Sequence, residues 1–262
     1  MFTSGDIRRS PTPGGGVLLL VSSVLAILVG TSIGSIPAVA LAVAGLLVVG
    51  YALARLLPSD VAPASRTATI GMLLLAFTFF GAEGTLSLTV TRGLGAALTQ
   101  AGVALTAGTV CWAIGSLVQP GLCERLRISA ATLSVAGAVV LLLASASVVT
   151  ILVARPAPTV AALFTDATWA VAGLGTGTAY PTLMTTATAK ADGSHAERLS
   201  AGIVLAEATG GSLGPDVIGG LYSLGLRWSL PPHSALLLSF GATTIGGLLL
   251  LVTTARALRV RS

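Results

Sequence analysis

Thr69-Ile70-Gly71-Met72-Leu73-Leu74-Leu75-Ala76-Phe77-Thr78-Phe79-Phe80-Gly81-Ala82-Glu83-Gly84-Thr85-Leu86-Ser87-Leu88-Thr89-Val90 is the stretch that decides the fold. It contains one ionisable side chain, Glu83, among aliphatic, aromatic, small and hydroxyl residues. Coiled as a helix, a run of this length covers about 30 Å, the thickness of the hydrocarbon core of a bilayer. Comparable windows recur outward from it at Gly16–Gly34, Ile36–Leu56, Ala97–Val118, Ile128–Val153, Val160–Thr186, Ala201–Leu224 and Ser234–Thr254. The sequence therefore predicts an all-α polytopic membrane bundle of about eight transmembrane helices. With 54% of residues hydrophobic and 9% charged, the chain cannot keep that surface in water, where apolar area costs roughly 25 cal/mol per Å².

The cations give the expected orientation. If the start is cytoplasmic, Arg8, Arg9, Arg55, Arg66, Arg125, Arg127, Lys190, Arg198, Arg256, Arg259 and Arg261 all fall inside, and only Arg92, Arg155 and Arg227 fall outside. Basic loops near span ends resist translocation, so both termini are expected in the cytoplasm of a multi-pass protein of the bacterial cell (inner) membrane. The net charge of +5 then reports topology and contact with anionic lipid headgroups rather than nucleic acid. The first pair of spans has two rival readings. One is a single long tilted span, which would move Arg8 and Arg9 outside against the charge rule. The other is a cleaved signal peptide, for which the apolar run is long.

Composition shifts divide the chain into a flexible cytoplasmic tail at 1–15, a two-span hairpin at 16–56, a Pro-bearing cytoplasmic linker at 57–68 and six spans over 69–262. Further breaks are expected at Thr91–Gly95, Gly121–Arg127, Ala154–Pro158, Ala191–Leu199 and Arg227–Pro232. Small residues fill the spans and let helices approach closely in lipid. Gly173, Gly175, Gly177, Gly210 and Gly214 are read as packing positions, and Pro181 and Pro215 as points where a helix bends.

Carboxylates inside apolar windows are expensive, and they face a wet cavity, find a partner or bind a proton. Glu83, Asp166 and Glu207 are the candidates, with Asp166 also fitting the outer interface beside Arg155. Asp216 follows Pro215, where the helix is expected to break, and reads as structural. A desolvated carboxyl favours its neutral form and ionises when its cavity opens to water, which can couple proton movement to alternating access. Gln100, Gln119, Trp112, Trp169, Tyr180 and Tyr222 could line such a path, although Trp and Tyr also populate interfacial belts.

No soluble-enzyme template is present: GxSxG, a phosphate-cradling Gly-Lys loop and HExxH are all missing. Cys111 and Cys123 lie twelve residues apart on or just beyond one span, an unfavourable separation for a disulfide. No Cys or His pair has metal-ligand spacing, and His195 and His233 read as loop residues. No enzyme, metal or cofactor is expected.

Phe79-Phe80-Gly81-Ala82-Glu83-Gly84, Leu105-Thr106-Ala107-Gly108-Thr109-Val110-Cys111-Trp112-Ala113-Ile114-Gly115-Ser116, Gln119, Glu124-Arg125 and Gly173-Leu174-Gly175-Thr176-Gly177-Thr178-Ala179-Tyr180-Pro181-Thr182, in that order, resemble the C-terminal half of major facilitator superfamily transporters, closest to the drug/proton antiporter branch with fourteen spans. The hairpin at 16–56 falls where that branch carries its extra pair. The resemblance implies that the spans holding Glu83, Asp166 and Glu207 border a central cavity, which would be the path that Gln100 and Tyr180 are read above as candidates to line. It also implies that Gln119, Glu124, Arg125 and Arg127 form a gate or topology loop, although Gln119 stands where the family signature has an acid, and Pro120 follows. Gly210 to Gly220 resembles the antiporter glycine-proline signature, displaced to the symmetry-related helix of the other half.

The expected function is that of a partial or split secondary transporter, a multidrug-type efflux antiporter for small lipophilic or cationic compounds, driven by the proton gradient. It would need an N-terminal half or a homo-oligomer as partner besides membrane lipid, because transport in this family rocks one half against the other. The alternative is a non-transporting accessory or degenerate membrane protein. A membrane-embedded enzyme would need a nucleophile cluster that the sequence does not offer.

Overall fold

The computed structural model describes residues 62–189 and 194–259, together with Ser22, Ala44, Gly45, Val48, Val49 and Tyr51. The tail at 1–15, most of the hairpin at 16–56 and the linker as far as residue 61 lie outside the described residues. From residue 62 on, six long helices follow one another among the described residues: α1 (Pro63–Leu88, continued by a π-helical turn at Thr89–Gly93), α2 (Leu98–Leu126), α3 (Ala130–Ala154), α4 (Pro158–Thr188), α5 (Ser194–Arg227) and α6 (Pro232–Arg259). There is no strand among the described residues. Among the described residues, four stretches are long and apolar enough to cross a membrane: Pro63–Gly93, Leu98–Leu126, Ala130–Ala154 and Pro232–Arg256. Helices α4 and α5 are long enough but more polar. They carry Asp166, Glu207 and Asp216 among many glycines and threonines, a composition suited to helices enclosed by others rather than by acyl chains.

Proline at the first turn starts α1, α4 and α6, where a missing N–H loses no bond. Ser129 caps α3 by accepting from the Thr132 N–H at 3.0 Å. Three helices end on a left-handed residue that is not glycine: Arg127 after α2, Arg155 after α3 and Ser229 after α5. Arg127 N–H reaches Glu124 O and Ile128 N–H reaches Cys123 O, the paired bonds of a Schellman ending. A side chain at such a position is strained where glycine is not. Arg127→Gly is expected to raise the unfolding free energy by up to about 1 kcal/mol, read from the thermal midpoint against wild type.

Several expected breaks are helical. The stretch Gly121–Arg127 is helical to Leu126, because Pro120 forfeits only one backbone bond and sits on an exposed face. Helix α5 starts at Ser194, within the expected Ala191–Leu199 break, and continues through Pro215 to Arg227, so Asp216 is mid-helix. His195 and His233 belong to the first turns of α5 and α6 rather than to loops. Cys111 and Cys123 are free thiols, both on α2.

Helix α2 packs chiefly on α4, and α1 chiefly on α5. Helix α3 bridges α4 and α6, and α6 covers α1 and α5. In the two principal pairs the backbones touch. A Cβ at Gly173 would fall on the carbonyl oxygen of Gly108, and one at Gly177 on that of Trp112. Across the other pair, a Cβ at Gly210 would meet Leu73 O, and one at Gly214 would meet Phe77 O and the Gly81 backbone. A Cβ at Gly175 would meet Gly137 O on α3 at 2.8 Å. Several threonine hydroxyls within this apolar interior bond to their own helix: Thr69 to Ser65 O at 3.0 Å, Thr165 to Ala161 O at 2.8 Å and Thr176 to Ala172 O at 3.0 Å. Such back-bonding lets threonine sit deep in an apolar bundle without an outside partner. Val49, from the first part of the chain, is buried against Ala206 and Leu213 of α5.

Candidate functional site

Where α1, α2 and α4 meet, five aromatic rings gather. Phe79 of α1 stacks on Trp169 of α4 with centroids 5.3 Å apart, and meets Trp112 of α2 edge-on at 5.4 Å. Phe80 also packs edge-on to Trp112, at 5.5 Å, and Trp112 meets Tyr180 at 5.8 Å. Offset and edge contacts of this kind are the favourable ones for aromatic quadrupoles. Three of the residues weighed for interfacial belts, Trp112, Trp169 and Tyr180, thus lie inside the bundle, and Tyr222 is buried as well.

Glu207 of α5 comes to the edge of this cluster. The Tyr180 O–H donates to its Oε2 at 2.8 Å. Together with Met72, Leu75, Ala76, Phe79, Phe80, Trp112, Thr176 and Tyr180, Glu207 lines an internal void of about 10 Å³, room for about one water. Glu83, two turns further along α1 than Ala76, is half-buried, and its carboxylate approaches the Trp169 indole. Asp166, one turn before Trp169 on α4, accepts from the side-chain amide of Gln100 on α2. At the opposite end of the α2–α4 contact, Gln119 is buried and donates to Thr182 Oγ1 at 3.1 Å, while Thr182 donates to Ala130 O at 3.2 Å.

The structure therefore joins two pairs of the sequence-selected polar residues, Gln100 with Asp166 and Tyr180 with Glu207. Both lie along the face of α4 that carries Asp166, Trp169, Gly173, Thr176 and Tyr180, a stretch of about 20 Å at helical rise. Gln119 stands apart from the other members of its expected gate: it is inside α2, whereas Glu124, Arg125 and Arg127 are exposed at or just past the end of that helix. Pro181 and Pro215 lie within continuous helices, with Pro215 packed on Gly84. Phe79, Phe80 and Met72 line the same void, although sequence reasoning did not single them out as individual site residues. Their signal was the aromatic pair one turn before Glu83. Among the described residues, no group of three or more His, Cys, Asp or Glu is placed to hold a metal ion.

The hydrogen bond from Tyr180 is the direct polar tie between α4 and α5 at this level, where those helices otherwise touch only slightly. Tyr180→Phe, which keeps the ring against Trp112, is expected to lower the unfolding free energy by about 1 kcal/mol, measured by denaturation in mixed micelles. No protein-family model matches the chain, and no curated protein matches it.

Proposed function

We propose that this chain forms one half of a proton-coupled secondary transporter in a bacterial cell membrane, with both termini cytoplasmic, exporting small lipophilic or cationic compounds. The observation that carries the reading is Glu207: an acid held by Tyr180 and facing aromatic rings in the interior of a bundle of apolar helices. A carboxylate beside Phe79, Phe80, Trp112 and Tyr180 suits an organic cation, which gains from ring faces as well as from the charge. The same carboxyl can instead hold a proton, and exchange between proton and cation is the basis of antiport.

A second six-helix unit, from another chain or another copy of this one, completes the cavity in this reading. Support comes from α2, the least enclosed of the four apolar spans. Its exposed residues include Thr99, Gly102, Thr106 and Thr109, small and hydroxyl-bearing positions that suit a neighbouring helix. The alternative, a membrane protein that does not transport, is favoured by the smallness of the void, which admits a water and no organic molecule until helices part. The experiment is pH-dependent export of several lipophilic cations from cells carrying this chain alone or beside a six-span candidate partner. Export that rises with the proton gradient in the paired cells is the expected result. Export independent of that gradient, or none in either setting, leaves the non-transporting reading.

A further inference from the structure

Where α3 turns into α4, the bundle carries a larger space than the void beside Glu207. It is a cavity of about 270 Å³, and apolar cavities of about 150 Å³ already take a molecule the size of benzene. Ser147, Thr150, Ile151 and Ala154 form one wall, on a single face of α3, and Val160 and Phe164 form the other, one turn apart on α4. From Ser147 to Ala154 the wall runs about 10 Å along the helix axis. Its hydroxyl donors are spent: Ser147 donates to Leu143 O at 2.8 Å and Thr150 to Ala146 O at 3.0 Å. Val153, Val160, Leu163 and Phe164 are exposed, so the space opens on the outer surface of the bundle and not into its interior.

One charge stands at the end of this cavity. Arg155 lies between two lining residues, Ala154 and Pro156, just past the last residue of α3. Its side chain is exposed, and among the described residues no acid pairs with it. Asp166, the nearest acid along the chain, is engaged by Gln100 of α2. Helix α4 then begins with no side chain on its first N–H groups, which adds partial positive charge to the same turn. Because α3 has the length and apolarity of a span, its last residue sits where hydrocarbon gives way to headgroups. The cavity therefore runs inward from headgroup depth, the direction in which acyl chains lie, with an unpaired cation at its polar end. An amphiphile with an apolar tail and an anionic head satisfies both parts. A lipophilic cation would meet Arg155 as a like charge, and a free phosphate would leave the walls empty. We propose that this groove binds one anionic phospholipid, an acyl chain lying between α3 and α4 and the headgroup phosphate beside Arg155. A zwitterionic phospholipid offers the same tail and phosphate, but its own cationic group opposes the guanidinium. The site is separate from Glu207 and does not depend on the transport reading.

Photo-crosslinking of the full chain in phosphatidylcholine nanodiscs tests the site. A trace of diazirine-tailed phosphatidylglycerol, or of phosphatidylcholine with the same tail, is added, and adducts are mapped by mass spectrometry. Labelling within residues 147–164 is read against labelling of the exposed α6 residues Ile245, Leu248 and Leu249, which report ordinary lipid contact. Phosphatidylglycerol is expected to raise that ratio about fivefold over phosphatidylcholine, the preference that one basic residue gives at an anionic surface. Arg155→Gly is expected to abolish the preference and keep the fold, because glycine suits the left-handed backbone there, with φ at 49°. Arg127→Gly makes the same change at the left-handed end of α2 and is expected to leave the ratio as in wild type. Ser147→Phe, which fills the cavity, is expected to lower labelling there by both lipids. Equal ratios for the two lipids in the wild type overturn the proposal, whatever the variants do. A preference that survives in Arg155→Gly, falls equally in Arg127→Gly, or comes with labelling untouched by Ser147→Phe overturns it as well. A diazirine fatty acid that labels the cavity more strongly than phosphatidylglycerol overturns the phospholipid assignment.

Discussion

Gly173→Leu is expected to dismantle the α2–α4 pair. Even the first added carbon falls on the carbonyl oxygen of Gly108, a backbone atom that cannot rotate aside, so the helices must separate or α4 must turn. Overpacking a close contact typically costs 1–3 kcal/mol. Here the displaced neighbour is backbone and the contact also seats Trp169, so a loss of about 3 kcal/mol or more is expected. Gly173→Ala should give a smaller loss of the same sign. Gly219→Ala and Gly241→Ala are the controls, because an added Cβ at either position meets nothing within 4 Å. In helices, they are expected to gain up to about 1 kcal/mol from reduced backbone freedom in the unfolded chain. Unfolding midpoints in mixed micelles, followed by tryptophan fluorescence, check the series. Similar midpoints for Gly173→Leu and Gly241→Ala would show that the close approach does not hold the pair together.

The second large effect is functional. On the proposed transport reading, Glu207→Gln is expected to reduce gradient-driven export about a hundredfold, the lower part of the range for losing a positioned proton-transfer group. The fold should survive, because glutamine keeps an oxygen that accepts from Tyr180 O–H and nearly the same volume at the void. The conservative geometry makes the test discriminating: a folded Glu207→Gln protein that exports like wild type across the pH range removes the carboxyl from the mechanism. Tyr180→Phe separates the roles further, since it deletes the donor and leaves the acid. It is expected to retain a pH response while losing the modest stability assigned to the hydrogen bond.

The helices were legible because their signal is local. The run from Thr69 to Val90 needed only its own residues to declare a span, and the observed helix extends it at both ends, to Pro63 and through the π turn to Gly93. Helix ends were harder to read. Pro120 and Pro215 look like stops in sequence, yet each removes one backbone bond and leaves the surrounding turns intact, Pro120 on an exposed face and Pro215 against Gly84 of α1. Left-handed Arg127 and Arg155 carry no sequence mark, because glycine is the usual sign of such an ending. The cost of burying a charge picked out Glu207 and Asp166, but their partners depend on which helices meet. Tyr180 is 27 residues from Glu207, and Gln100 is 66 from Asp166. The gathering of Phe79, Phe80, Trp112, Trp169 and Tyr180 is a product of packing that no local pattern encodes.

The interleaved pairing of helices bears on how the protein is made. Helix α2 finds its main neighbour only when α4 follows it, and α1 only when α5 does. As the ribosome delivers spans one at a time, Glu83 enters the bilayer before either Trp169 or the backbone of α5 has been synthesised. The early spans must therefore wait, shielded by the insertion machinery or by lipid, and assembly is a late event governed by contacts distant along the chain. A nascent chain arrested after α3 lacks both backbone-to-backbone pairs and is left as prey for membrane proteases.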